Sequence, residues 1–359
     1  MRPQYTHADF AGQVVNIGLD AGLKHWDAAF YLGQAYHKTV AFPPDPPAVI
    51  RYAHRMFPGA SVRVVYEAGY FGFWIHEAFV KLGAECMVVN PADVPTADKE
   101  RRFKTNRIDA TKLGRSLANG DIHGIYVPDH QAQQDRSLVR MRSTFVRKQT
   151  RVKCQIKAFL RYYHIEHGHD LSDRYWSRAY IRWLESVSFE HESGTQAFKM
   201  LLKELLDLRA NVAQITKLIH RLALQDRYRT NVQLLARIPG ISVMAAMIFL
   251  SELITIWRFK TLDPLASYFG IVPGQNSTGE TETDTGLTPR RNAALRYMLI
   301  ECAWIAQRED PALLKAFNKY CERMPKNIAI VHVARKLLNR MRYVLIRQEP
   351  YACGVLANG

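Results

Sequence analysis

Between residues 14 and 89 the hydrophobic pattern changes period, and that change restricts the folds open to this chain more than any other feature. Over 14–20 the residues alternate: Val15, Ile17 and Leu19 point one way, Asn16, Gly18 and Asp20 the other. That is the two-residue period of a strand. Apolar runs at 28–32 and 39–42, separated by a turn containing Gly33 and closed by the proline-rich break at 43–47, read as two more strands of an antiparallel meander. The pattern then predicts a helix over 48–57, a strand over 62–66 ending at Glu67, a helix over 71–82 and a strand over 86–89. Strands separated by helices imply parallel additions to the same sheet.

Three antiparallel strands followed by alternating helices and strands is the ribonuclease-H-like order. In that architecture the first strand is central and lies beside the strand that ends in Glu67, so Asp20 and Glu67 come within reach of a shared cation. Mg²⁺ suits oxygen ligands and bridges phosphates, and two ions about 4 Å apart can clamp an in-line phosphoryl displacement. A third acid lies in Lys104-Thr105-Asn106-Arg107-Ile108-Asp109-Ala110, ahead of an apolar, helix-prone run that begins at Leu113. An acid three residues after an amide, within a basic cluster, suits a helix start that holds a metal close to nucleic acid. Residues 95–115 are expected to be flexible until that helix begins. Their Lys99, Arg101, Arg102, Lys104, Arg107, Lys112 and Arg115 read as phosphate-positioning charges. Acids at strand ends and a solvated basic face are the plainer reading of the same residues.

The rest of the chain fits a polyanionic partner. With Lys+Arg 49 against Asp+Glu 33 the net charge is +16, which draws nucleic acid without conferring sequence preference; a membrane surface is the competing partner. No apolar run reaches the roughly 18 residues of a spanning helix, and the N-terminal residues lack the apolar core of a secretion signal. Five cysteines, widely spaced and without a CxxC pair, point to a reduced, cytoplasmic protein without a zinc site. Three domains are expected, over 10–128, 129–230 and 231–350. Between Arg136 and Arg161 there are nine Lys or Arg and no acid. With Leu138, Met141, Phe145, Val152, Ile156 and Phe159 in an apolar stripe, this is an amphipathic basic helix whose Arg136, Arg140, Arg147 and Arg151 are candidate nucleic-acid contacts. Leu201, Leu205, Leu208, Val212, Ile215, Ile219 and Leu222 step by four and three, a coiled-coil seam able to dimerise or to pack inside one chain. Beyond it, Ile238-Pro239-Gly240-Ile241-Ser242 reads as a hairpin between helices, residues 259–269 as a helix, and 273–289 as a Gly/Ser/Thr-rich loop. Helices over 295–307 and 328–345 complete the core.

Two sets of motifs, in order, carry a resemblance. The first is Asn16-Ile-Gly-Leu-Asp20, Tyr66-Glu67-Ala-Gly, Val88-Val-Asn-Pro91, Lys104-Thr-Asn-Arg-Ile-Asp109-Ala and Gly124-Ile-Tyr-Val-Pro128. The second is Ile238-Pro-Gly-Ile-Ser, Arg258-Phe, Tyr268-Phe-Gly-Ile-Val-Pro273, Ser277-Thr-Gly279, Leu295-Arg, Ala303-Trp and Ala334-Arg-Lys-Leu337. Over nearly the whole chain these resemble the DEDD transposases of insertion sequences, the one-hundred-and-ten family that includes the Piv-type invertases. The resemblance implies an α/β RuvC-like domain whose acids bind Mg²⁺, a long helical coiled-coil middle, and a mostly α C-terminal transposase domain with a hydroxyl nucleophile. It places that nucleophile at Thr278 or at the preceding Ser277. It also implies a structured noncoding guide RNA that pairs with donor and target DNA, and a homo-oligomer, dimer or tetramer. Where the family motif reads Lys-Thr-Asp-x-x-Asp, this chain has Asn106, so Asp20, Glu67 and Asp109 with an assisting amide form the expected metal set. The expected activity is DNA recombination. A Holliday-junction-type metal-dependent nuclease and an inactive nucleic-acid-binding derivative are the alternatives.

Overall fold

The computed structural model describes residues 9–95, 105–168, 176–278 and 281–354. The chain divides into two compact units, residues 1–127 and 128–359, so the expected middle and C-terminal segments belong to one unit. No helix among the described residues is long and apolar enough to cross a membrane.

The first unit is built on a five-stranded mixed sheet. Its strands are β1 (Val14–Ala21), β2 (Trp26–Leu32), β3 (Ala35–Phe42), β4 (Ser61–Glu67) and β5 (Glu85–Val89), in spatial order β3-β2-β1-β4-β5. β1 runs antiparallel to β2 and parallel to β4, with Leu19 opposite Tyr66. This arrangement is consistent with a RuvC-like, ribonuclease-H-like architecture. Val15, Ile17 and Leu19 enter one apolar core together with Val62, Val64 and Tyr66, the inward face of the alternation. Helices α1 (Pro46–Met56) and α2 (Trp74–Lys81) cover that face through Val49, Ile50, Ala53, Ile75 and Phe79.

On the opposite face lies α3 (Asn106–Asn119). The helix begins at Asn106, where the amide–acid spacing suited a helix start, and runs on through the apolar stretch at Leu113. Thr105 is its N-cap, the Oγ1 accepting from the Ile108 amide at 3.3 Å, which satisfies one of the free amides at a helix start. Gly120, left-handed at φ 77°, ends it. Leu113 and Leu117 pack against Val65 and Val89 of the sheet, each such burial contributing about 1.5–3 kcal/mol.

The second unit is mainly helical. Its first helices are α4 (His130–Tyr162), the short α5 (Arg178–Ser186) and α6 (Glu192–Ala223). Val152, Ile156 and Leu160, late in α4, share a core with Phe198, Leu202 and Leu205, early in α6. Val139, early in α4, packs with Ile215 and Ile219, late in α6. The two helices are therefore antiparallel, and the stripe read as a possible dimer seam is largely buried inside this chain. Met141, expected on the apolar stripe of α4, is 48% exposed, because the buried row runs through Val139 instead.

Next come α7 (Asp226–Ala236), α8 (Val243–Leu253) and α9 (Leu262–Phe269), then α10 (Ala293–Glu309), α11 (Pro311–Cys321) and α12 (Lys326–Arg347). They surround a core of Phe249, Phe269, Leu299, Leu337 and their neighbours. The turn between α7 and α8 has Gly240 at φ +85°, lying against the backbone of Cys302 and Ala306, where a side chain has no space. Residues 273–289, expected as a loop, instead contain the hairpin β6 (Pro273–Thr278) and β7 (Thr281–Leu287). Its antiparallel register pairs Ser277 with Glu282 and Thr278 with Thr281. A polar segment with recurrent threonines alternates too weakly to announce a strand, yet β-branched residues suit one.

Candidate functional site

The sheet brings the predicted acids to one end of the first unit. Asp20 follows Leu19 on β1, and Glu67 follows Tyr66 on the parallel neighbour β4. Leu19 and Tyr66 are both buried in the α1/α2 core, so the period of two places Asp20 and Glu67 on the opposite face, the one that α3 covers. What lets α3 lie close is glycine on both sides of the contact. A Cβ at Gly18 would collide with the backbone of Gly114 and Ala110, and one at Gly114 would lie 2.8 Å from the Tyr31 ring. Tyr31 OH donates to the Thr111 carbonyl at 3.1 Å, and the Thr39 and Thr111 hydroxyls are 3.2 Å apart. The helix is thus seated in register on β1, β2 and β3, and its first turns reach the strand ends.

At that point Asp109 and Glu67 share a cation, and it is a residue the sequence reading had assigned to phosphate. Lys112 lies 3.3 Å from Asp109 Oδ1 and 3.7 Å from Glu67 Oε1. Its side chain is only 8% exposed, against 19% for Asp109 and 34% for Glu67. The signal was present in the sequence: Asp109 and Lys112 are three residues apart, neighbours on one helical face. Which side of the helix met the sheet was not. The donor set, carboxylates with an exposed amide at Asn106 beside them, consists of hard oxygens. Two of its members already converge on a positive charge, so the residues fit a cation. Among the described residues, no three His, Cys, Asp or Glu side chains converge as a ready metal cluster. Arg107 is exposed on the first turn of α3, and Lys104 lies outside the described residues.

In the second unit, the four arginines singled out on α4 divide. Arg147 and Arg151 are exposed. Arg140 instead donates twice to the buried Glu252 of α8, at 2.6 and 2.8 Å, while its own side chain stays 57% exposed. That bond, more than the opposing burial, raises Arg140 above the ordinary guanidinium range. Arg136 is half-buried next to it. Burial first, and then the Arg140 charge, lower its hold on its proton. Glu252 also accepts from Asn292 Nδ2 at 3.0 Å, and its backbone carbonyl accepts from Tyr268 OH at 3.1 Å. Tyr268 precedes the β6–β7 hairpin and Asn292 follows it, capping α10. Glu252 therefore ties both ends of the segment that carries Ser277 and Thr278. Glu252 was not singled out in the sequence, where nothing local named its partners.

A mixed sheet that brings acids to one edge beside a seated helix, in a strongly basic chain, is consistent with a RuvC-like nucleic-acid-processing protein. Comparison with known proteins gives the family. A family model described as "Transposase", of the DEDD group named for IS110, matches residues 17–165 and so includes Asp20, Glu67 and Asp109. A second, described as "Transposase IS116/IS110/IS902 family", matches residues 232–318 and includes Ser277 and Thr278. The chain is 33% identical over 240 residues to a transposase of Sinorhizobium fredii, a match covering 67% of this chain and 57% of that relative. It is 25% identical over 299 residues to the transposase for insertion sequence element IS1111A of Coxiella burnetii, covering 81% and 79%. A family 20 transposase of Pseudomonas aeruginosa is 26% identical over 313 residues, covering 86% and 90%. The chain belongs to the IS110 family of DEDD transposases, enzymes of DNA cleavage and transfer.

Proposed function

We propose that the chain is a recombinase of an insertion sequence that cuts and rejoins DNA, guided by a structured noncoding RNA. The observation that carries the reading is the gathering of Glu67 and Asp109 about one positive charge, with Asp20 on the same sheet face. Asp20, Glu67 and Asp109, assisted by Asn106, hold Mg²⁺, and all three lie within the segment matched to the DEDD transposases. When bound, the ion supplies Lewis-acid polarisation of a phosphoryl oxygen.

Ser277 or Thr278 supplies the nucleophile. Its Oγ forms a bond to phosphorus as one sugar oxygen leaves, and the hydroxyl proton ends on that oxygen. The phosphodiester so formed conserves the bond energy needed for rejoining. Ser277 offers the less hindered, primary alcohol. Lys104, Arg107, Arg136, Arg147 and Arg151 contact nucleic-acid backbone, and Arg140 does so with whatever capacity its bond to Glu252 leaves. The long α4–α6 pair is a coiled coil within the chain, and the working form is a cytoplasmic homo-oligomer.

The test is covalent trapping. The full chain is incubated with Mg²⁺, candidate guide RNA and labelled element-end DNA, then run under denaturing conditions beside Ser277→Ala and Thr278→Ala. A protein–DNA adduct that one substitution abolishes is the expected result, and it names the nucleophile. Free cut ends with no adduct would instead identify a junction-type nuclease. The replacement of an acid by Asn106 favours a second reading, a binder without chemistry, which bound RNA and DNA with no strand cleavage would support.

A further inference from the structure

Lys112 is a charged side chain at the acidic edge for which the chemistry above has no use. A lysine is almost never buried without partners, and this one has two, from different elements: Asp109 on its own helix and Glu67 at the end of β4. Its stem lies in a helix held against the sheet by the Gly18–Gly114 approach, and its side chain is 8% exposed. A divalent ion using the facing oxygens of Glu67 and Asp109 must therefore either expel Lys112 from beneath α3 or sit beside it. Charge decides between these. With asparagine at position 106 the expected acids number three, and the Lys112 ammonium offsets part of the charge that Glu67 and Asp109 carry. A second ion would add two positive charges next to an ammonium only a few ångströms away, where repulsion is weakly screened.

We propose that Lys112 is a resident cation of the acidic site. It takes the place of a second metal ion, holds Glu67 and Asp109 together in the metal-free protein, and limits the site to one divalent ion. This rests on the metal-binding reading above, and it assigns a positioning role to Lys112, not a catalytic one.

The test measures ions bound rather than DNA cut. Mn²⁺ is titrated calorimetrically into the full-length wild type, Lys112→Met and Lys112→Arg. The expected result is one ion per chain for the wild type and for Lys112→Arg, and two for Lys112→Met, the first bound roughly tenfold more tightly once the neighbouring positive charge is gone. Two ions in the wild type would show that the lysine withdraws, and would overturn the proposal. One ion in all three proteins would leave the metal reading standing and remove Lys112 from it. No ion in any of them would remove the metal reading itself and this proposal with it. If Lys112→Met fails to fold, refolding with Mn²⁺ should recover it, because metal then compensates the uncovered carboxylates. Failure to recover, with Lys112→Arg folding normally and binding its ion, counts against the proposal.

Discussion

Gly18 and Asp20 are two residues apart on one strand face, and the first matters to the second more than the sequence reading recognised. Only a hydrogen at Gly18 lets the α3 backbone pass over β1, since a Cβ there meets Gly114 and Ala110. Gly18→Ala should force the helix off the sheet and cost about 3 kcal/mol, at the upper end for overpacking a tight contact. Urea unfolding measures it, and a loss under about 1 kcal/mol would mean that α3 has slack the structure does not show. The cysteines give a second residue-scale prediction. Burial pushes the Cys86 thiol up to about 12, and burial followed by the Glu301 charge does the same for Cys302. The thiolate is the reactive form, so a disulfide reagent at pH 8 should modify exposed Cys154 and Cys353 quickly. Cys302, which is buried, should react only on unfolding, and Cys86, half-buried with its thiol held protonated, far more slowly than the exposed pair even at about pH 9. Prompt reaction of either in the native protein would contradict the packing around it.

Among the elements, α4 shows how one basic helix serves two ends. Its Arg140 is spent on Glu252, and the two partners are not equivalent. Removing Glu252 leaves an arginine that is already half in water, whereas removing Arg140 strands a carboxylate that is 3% exposed, with Asn292 its remaining side-chain donor among the described contacts. Arg140→Ala should therefore cost about 3 kcal/mol and Glu252→Gln about 1 kcal/mol. The double variant should be more stable than Arg140→Ala alone, as a thermal-unfolding cycle would measure. Equal costs for the two single changes would mean that Glu252 is better solvated than its burial implies. The elements of the first unit were legible in advance, to within a few residues at their ends, because a period of two alternating with helical runs leaves few arrangements. The start of α3 falls where the Asn106–Asp109 spacing suited one, and the Thr105 cap bonded to Ile108 fixes it there. The β6–β7 hairpin was missed because Gln275, Ser277 and Thr283 carry no apolar face for a strand pattern to register.

For the molecule as a whole, the +16 charge predicts nucleic-acid binding that weakens steeply with salt. Arg147 and Arg151, exposed on α4, should each contribute one phosphate contact. Substituting either by alanine should lower the slope of log K against log salt by about 1 while leaving the unfolding free energy within about 0.5 kcal/mol of wild type. Filter binding or fluorescence anisotropy over a salt series checks this. An unchanged slope in both variants would take this face of α4 out of the nucleic-acid surface. The sequence implied the basic face of α4 from its nine unrelieved charges, but left open whether the stripe over 201–222 would pair between chains or within one. Burial of Leu205, Leu208, Ile215 and Ile219 against the same chain answers that for these residues.

The sequence by itself determined the strand–helix order of the first unit, the placing of Asp20 and Glu67 at strand ends, the polyanion-seeking charge and, through two ordered sets of motifs, the family. These are local or additive properties: a period, a position at the end of a run, a sum of charges. The tertiary structure alone decided that α3 lies flush on β1, that Lys112 turns inward between Glu67 and Asp109, and that Arg140 reaches Glu252, more than a hundred residues away along the chain. Each of these depends on which faces meet. That is settled when residues far apart in sequence exclude water together, and a linear pattern has no term for it.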